Sequence, residues 1–281
     1  MKRVIACIDS SPCIHALAEA AAWIAQKTGR ELVLLQVLDY YPASYHLGEI
    51  SGVIGFESNA MLLRELSELE QKQSELALEY SNNLLSHISE KILSQYQIKT
   101  IHIQEKGDFL EQSQKILHPD DIAVIGRVGT TSAEKNKPLG SNVENFIRAA
   151  NCTVLTVGEQ FTPPTRFIFA YEYSPTCVAL TKRIAESDLL RSLQCHIVYV
   201  GDHIEVLEQP IAALTQAGLS VVPANRFGHV ADEILDYQRE HDIQLIVMGA
   251  FSHSKIRQFF LGSIATTIYR NTNIPLLVAK S

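Results

Sequence analysis

Positive charge is in short supply in this chain. Its 281 residues carry 24 Lys and Arg against 31 Asp and Glu, a formal net charge of −7. A chain of that sign repels phosphate backbones at long range, which excludes general DNA or RNA binding and leaves room only for a local phosphate pocket. Cysteine is also sparse. Cys7, Cys13, Cys152, Cys177 and Cys195 are odd in number and include no CxxC pair. That excludes a disulfide framework and points to reduced thiols. No H-x-x-x-H or Cys/His cluster is present, so no zinc site is expected, although His15, His229 and His253 lie near the segments discussed below. Long apolar runs are missing too. None approaches the roughly 18–20 residues of a membrane span. The opening MKRVIACIDSSP has only a short apolar run before Asp9, too short for a secretory h-region. The expectation is a cytoplasmic protein with no membrane partner.

What is present is enough apolar material for a core. Hydrophobic residues make up 46% and charged residues 20%, and the length suits one large domain or two ordinary ones. The sequence then repeats itself. RVIACIDSSPCIHAL (3–17) matches RFIFAYEYSPTCVAL (166–180) at an offset of 163, with Asp9 falling on Glu172. LGSNVENFIRAANCTVLTV (139–157) matches LGSIATTIYRNTNIPLLVA (261–279) at an offset of 122. DIAVIG (121–126) and QLIVMG (244–249) lie between, in the same order. Three ordered matches predict two copies of one domain, the first longer by roughly 40 residues in its middle. The expected boundaries are 1–158 and 166–281, joined by a Pro-containing connector at 159–165.

Each copy reads as alternating strand and helix. In the first, VIACI, ELVLLQVLD, QIKTIHI, IAVIG and CTVLTV are strands. Ser10-Ser11-Pro12 supplies cap chemistry for a helix from Cys13 to Thr28, which Gly29 ends. Residues 60–96 form a long amphipathic helix, whose Leu62, Leu66, Leu69, Leu76 and Leu84 are expected to pack on the core. The second copy has a shorter second helix, His203 to Ala217. Short apolar strands alternating with helices predict a five-stranded, doubly wound parallel α/β sheet per copy. Ligands of such sheets sit at the carboxyl ends of the strands, where strand order reverses. Asp9 and Glu172 end the first strands, and Gly-containing loops leading into helices follow the fourth. A carboxylate beside a loop of free N–H groups suits a nucleotide.

A strand ending in Asp, followed later by an apolar strand and G-x2-G-x9-G-[S/T], resembles the universal stress protein (UspA-like) family, in particular its tandem, UspE-like members. The resemblance spans nearly the whole chain. It implies a flavodoxin-like (HUP-type) strand order, 3-2-1-4-5, and an intramolecular pseudo-dimer in which CTVLTV and IPLLVA pair. It also implies ATP or AMP as ligand in those members that bind one, with no metal beyond Mg accompanying ATP. Carried over by position, the first site would comprise Asp9 and Val37 for the adenosine, then Gly126, Gly129, Gly140 and Ser141. The second would comprise Glu172 and Val200, then Gly249, Ser252, Gly262 and Ser263. Both depart from the pattern. The first loop is one residue longer and carries Pro138. The second has Ser252 where the family has Gly, and Glu172 is one methylene longer than Asp.

Lys135, Lys137, Lys255 and Arg257 add positive charge to these loops, or are simply solvated. Cys7 reads as a small buried hydrophobe; Cys13, in the first turn of a helix, is either an activated or an inert thiol. The 41–61 insertion, with three glycines, is either a lid or a partner-binding loop. Three functions compete: a regulatory nucleotide-binding stress protein with little or no turnover, an interaction scaffold or binder of another small ligand, and an enzyme of the wider adenine-nucleotide α-hydrolase-like group. The enzymes of that group carry SGGxDS, which IDSSP lacks, and no catalytic triad or carboxylate pair is legible. Self-association of tandem chains is compatible with all three.

Overall fold

The computed structural model describes residues 2–38, 56–127, 141–249 and 263–279. The first half of the chain runs β1 (Arg3–Cys7), α1 (Ile14–Thr28), β2 (Glu31–Leu38), α2 (Phe56–Tyr96), β3 (Thr100–Lys106), α3 (Phe109–Ile116), β4 (Ile122–Gly126), α4 (Ser141–Ala149) and β5 (Thr153–Val157). The second half runs β6 (Arg166–Tyr171), α5 (Pro175–Ala185), β7 (Gln194–Val200), a 3-10 turn (Ile204–Leu207), α6 (Glu208–Gln216), β8 (Val221–Arg226), α7 (Val230–Glu240), β9 (Leu245–Gly249), α8 (Ser263–Asn271) and β10 (Leu276–Ala279).

All ten strands form one sheet, in the order β3-β2-β1-β4-β5-β10-β9-β6-β7-β8. Within each half the strands are parallel and follow 3-2-1-4-5. Helices cover both faces, which is why the central strands β1, β4 and β5 are buried on nearly every residue rather than alternating. Successive β1 residues divide between the faces. Val4, Ala6 and Ile8 pack with Leu17 and Ile24 of α1 and Leu85 and Ile88 of α2. Ile5 and Cys7 pack on the opposite face, where Phe146 of α4 closes the core. The alanines of α1, with Ala20, Ala21 and Ala22 fully buried, let that helix lie close to the sheet. Gly29 ends it at φ 64°, the left-handed cap that glycine adopts without a Cβ penalty.

The start of α1 departs from the sequence reading. The helix begins at Ile14, and Cys13 stands at the cap position without a side-chain hydrogen bond. The long helix departs as well. Among its described side chains it docks through its C-terminal part, Ser81, Leu85, Ile88 and Ile92, with Leu84 packed against that core as expected, while Leu69 and Leu76 are exposed and the Leu62 side chain lies outside the described residues.

The halves meet where β5 and β10 pair antiparallel, Leu155 opposite Leu277. Side chains reinforce the seam. The guanidinium of Arg127, just after β4, lies 4.2 Å over the ring of Tyr269 and donates to the carbonyl of Thr272. Arg183 of α5 donates to Thr153 of β5 at 3.2 Å. Phe161, in the stretch between β5 and β6, packs against Trp23 with ring centroids 5.8 Å apart.

Candidate functional site

Strand order reverses between β1 and β4 in the first half and between β6 and β9 in the second. At these switch points the crossover helices leave in opposite directions and open a crevice at the carboxyl edge.

In the first half, β1 and β4 align Ala6 with Val124. Continuing that register brings Asp9 level with Arg127, immediately past Gly126. The β1 ladder extends one step further, with the Ile8 N–H donating to the Leu35 carbonyl at 2.7 Å. Asp9 is half-buried, and its carboxylate accepts the Ser11 backbone N–H at 3.1 Å. Ser11 is 2% exposed, and its Oγ has no hydrogen-bond partner among the described residues. Val37, on neighbouring β2, is half-buried against the apolar cluster around Cys7 and Leu35. Gly126 is buried at the end of β4, and Ser141 opens α4. Asp9, Val37 and Gly126 thus sit at the ends of three adjacent strands. Arg127 is not part of this group. Its N–H donates to Val157 at 2.8 Å and its side chain is held at the seam. Gly129, Lys135, Lys137, Pro138 and Gly140 lie outside the described residues, as does most of the 41–61 insertion.

The second half places Glu172, Val200 and Gly249 at equivalent points, with different surroundings. Glu172 is exposed. Its backbone, rather than its carboxylate, makes the local bonds: the carbonyl accepts from the Ser174 N–H at 2.7 Å. Ser174 caps α5, its Oγ accepting the Cys177 N–H at 3.2 Å, with Pro175 in the first turn. Gly249 has a packing reason to be glycine. A Cβ there would stand 2.9 Å from Cγ2 of Thr176. Arg226, at the end of β8, is committed to α7 through Glu233 at 3.3 Å and Glu240 at 2.6 Å. Tyr173, Ile204 and Phe227, each just beyond a strand end, are exposed around this edge. Ser263 opens α8; Ser252, His253, Lys255, Arg257 and Gly262 lie outside the described residues.

Sequence reasoning missed the unpaired hydroxyl of Ser11, the contact of Thr176 with Gly249 and the exposed rim of Tyr173, Ile204 and Phe227. The first had no signal, because Ser-Pro occurs identically in both copies; the second joins residues far apart in the chain, which no local pattern encodes. Part of the rim was readable, since Tyr173 and Phe227 are aromatic residues just after the ends of β6 and β8.

No group of three or more His, Cys, Asp and Glu among the described residues is placed to hold a metal ion. His229 is exposed, 3.7 Å from Asp232. All five cysteines are buried, and none is in a disulfide. Burial, with Cys152 and Asp9 nearby, pushes the Cys7 thiol far above its ordinary value; burial pushes Cys195 up to about 12 and raises Cys177. Thiols held protonated are poor nucleophiles. No described helix is long and apolar enough to cross a membrane.

Comparison with known proteins agrees with this architecture. The model of the universal stress protein family matches residues 201–280. The universal stress protein Slr1230 of Synechocystis sp. is 31% identical over 288 residues, covering all of both chains. A universal stress protein structure from Archaeoglobus fulgidus DSM 4304 superposes with a TM-score of 0.69 at 20% identity, over 99% of this chain and 96% of that one. A putative universal stress protein from Pseudomonas aeruginosa gives a TM-score of 0.61 at 14% identity, over 99% and 92%. These two structures establish the fold alone, whereas the full-length relative establishes kinship: the chain belongs to the universal stress protein family.

Proposed function

We propose that the chain is two tandem universal stress protein domains, 1–158 and 166–281, and that the first binds an adenine nucleotide, ATP or AMP, as a regulatory ligand with little or no turnover in the cytoplasm. The observation that carries this reading is the buried hydroxyl of Ser11, without a partner among the described residues and beside the half-buried carboxylate of Asp9. A buried polar atom left unpaired costs about 1–3 kcal/mol, and a ligand donor or acceptor would relieve that cost. Asp9 and Val37 would take the adenosine. Gly126, Gly129, Gly140 and Ser141 would take the phosphates, where the start of α4 presents backbone N–H groups and the positive end of its dipole. Mg would accompany ATP on its phosphates. In the second domain, exposed Glu172, Ser252 in place of glycine and a packing role for Gly249 all weaken the case for Glu172, Val200, Gly249, Ser252, Gly262 and Ser263 as a site.

Calorimetric titration with ATP and AMP tests the assignment. Asp9→Ala should lower affinity about tenfold or more, the loss expected for a hydrogen bond to a charged group, and Glu172→Ala should leave it unchanged. The reverse pattern would move the site to the second domain. The exposed Tyr173, Ile204 and Phe227 favour a second reading, in which the protein is an interaction scaffold and this edge is a contact surface. Absence of both titration heat and co-purified nucleotide would select it.

A further inference from the structure

The long helix α2 does something that packing on its own sheet does not explain. From Ser81 onward it docks through Ser81, Leu85, Ile88 and Ile92, all 2% exposed or less, at spacings of four, three and four. Before Ser81 the helix has left the sheet. Every described side chain from Arg64 to Tyr80 is exposed except Leu66, which is half-exposed. That is an arm of about 25 Å at 1.5 Å per residue.

The arm is not simply polar. Leu66, Leu69, Gln73, Leu76 and Tyr80 follow one another at spacings of three, four, three and four, and Leu69, Leu76 and Tyr80 are 56%, 65% and 60% exposed. This is a heptad seam with a and d positions filled, interrupted by one polar residue at an a position, the device that fixes register in helix pairs. The seam is also out of phase with the docking face. Continued in heptads, Leu66 to Tyr80 leads to positions 83, 87 and 90, not to 81, 85 and 88. The offset is two residues at each position, about 200° around a helix of 3.6 residues per turn, which is close to the opposite face. A helix patterned only to cover the sheet would keep one stripe. This one has a second stripe, turned away from the body.

We infer that the arm pairs with the same arm of a second copy of this chain, antiparallel. The flanking charges select this occupant and orientation. With Leu66, Gln73 and Tyr80 at a, the g positions are Glu65, Lys72 and Glu79, and the e positions are Glu70 and Ala77. Parallel pairing sets Glu65 against Glu70 of the second copy and Lys72 against Ala77, with no attraction. Antiparallel pairing that places Gln73 across from Leu76 of the second copy, and Tyr80 across from its Leu69, brings Lys72 beside Glu79 twice and sets Glu70 against Ala77. Opposite charges at these flanks decide partner and orientation. The overlap is short, so the dimer is weak and concentration-dependent. The arm's net charge of −3 (Arg64 and Lys72 against Glu65, Glu68, Glu70, Glu75 and Glu79) opposes pairing at low salt. At physiological ionic strength, with a Debye length of about 8 Å, that repulsion is largely screened.

Sedimentation equilibrium of the full chain, over a wide concentration range at physiological salt, tests the inference. The weight-average mass should rise from the monomer's 31.3 kDa toward twice that value. The double variant Leu69→Lys, Leu76→Lys should remain monomeric while keeping its thermal midpoint, since both side chains are exposed in the monomer. Lys72→Glu should weaken the dimer, and adding Glu79→Lys should restore it. A chain that stays at monomer mass throughout overturns the inference. So does a dimer that the double lysine variant leaves intact, or a charge swap that fails to restore pairing.

Discussion

The two halves share a strand order and a seam, yet they hold their first strand in place by different chemistry. In the first half the Arg3 side chain donates to Asp121 Oδ2 at 2.6 Å and to Oδ1 at 3.3 Å, its backbone N–H donates to Oδ1 at 3.1 Å, and the His118 N–H donates to Oδ2 at 3.0 Å. Burial alone would raise the carboxyl pKa, but the Arg3 and His118 hydrogen bonds outweigh it and hold Asp121 below its ordinary value. In the second half the equivalent position is Gln244. Its side-chain oxygen accepts from the backbone of Thr165 and Arg166, and Arg166 turns to the His241 carbonyl at 2.9 Å. The apolar strands are interchangeable between copies, and the polar fittings around them are not. Burial dictates the strands; each polar group only has to find some partner.

The largest test of that contrast removes the two clamps in turn. Asp121→Ala should cost about 3 kcal/mol or more, because it strands a guanidinium and two N–H groups around a buried site. Gln244→Ala, at a neutral and more exposed clamp, should cost about 1 kcal/mol. Urea denaturation measures both. Equal losses would mean that the charge adds nothing to the first clamp. Next in size is the seam. Arg127→Ala removes a desolvated cation–π contact and a hydrogen bond to Thr272, together worth about 2 kcal/mol. Because that contact ties one half to the other, thermal unfolding should separate into two transitions. A single transition shifted as a whole would show that the β5–β10 pairing couples the halves by itself.

Acid should also distinguish the halves. His196 on β7 is buried, hydrogen-bonded to Tyr237 at 2.9 Å and Gln194 at 3.1 Å. Burial, and the nearby His241 and Arg166, lower its pKa below the ordinary 6.5. The unfolded chain therefore binds a proton that the folded one refuses, so stability is complete above 6.5 and declines as pH falls from there toward the folded value. Asp121 has a depressed pKa, and its contribution is lost only as pH falls below the ordinary 3.8 toward its folded value. Hydrogen exchange should therefore accelerate in β7 and α7 at mild acid before it does in β1 and β4. His196→Gln should abolish the early step. Simultaneous opening would mean that the two halves are one cooperative unit.

Much of the fold was legible because it depends on burial. VIACI, IAVIG and CTVLTV are buried on every residue since both faces of the sheet are covered, and the repeat set the halves in order. The long helix was legible as a helix but not in its docking. Leu69, Leu76 and Leu84 look alike in sequence, and only the phase of Leu85, Ile88 and Ile92 separates the packed end from the arm. Among candidate site residues, Asp9, Val37 and Gly126 fall where the strand pattern put them, and Glu172, Val200 and Gly249 do likewise. The roles of Arg127 and Thr176 were not legible. Each depends on a partner more than 70 positions away, Tyr269 for one and Gly249 for the other, which no local pattern encodes.

The smallest stability effect makes the sharpest comparison, because it concerns the same dipeptide in both copies. Ser174 caps α5, so Ser174→Ala should cost about 1 kcal/mol. Ser11, before the equivalent proline, caps nothing in α1, and its buried hydroxyl has no partner among the described residues. Ser11→Ala should leave stability unchanged or raise it slightly, since it removes an unpaired buried polar atom. Binding should reverse the order: Ser11→Ala should weaken ATP or AMP in calorimetric titration, and Ser174→Ala should not. A hydroxyl that contributes nothing to folding but matters to a ligand belongs to a site. If Ser11→Ala instead destabilised the chain and left titration unchanged, its hydroxyl would be satisfied within the protein, and the first crevice would lose its main claim to a nucleotide.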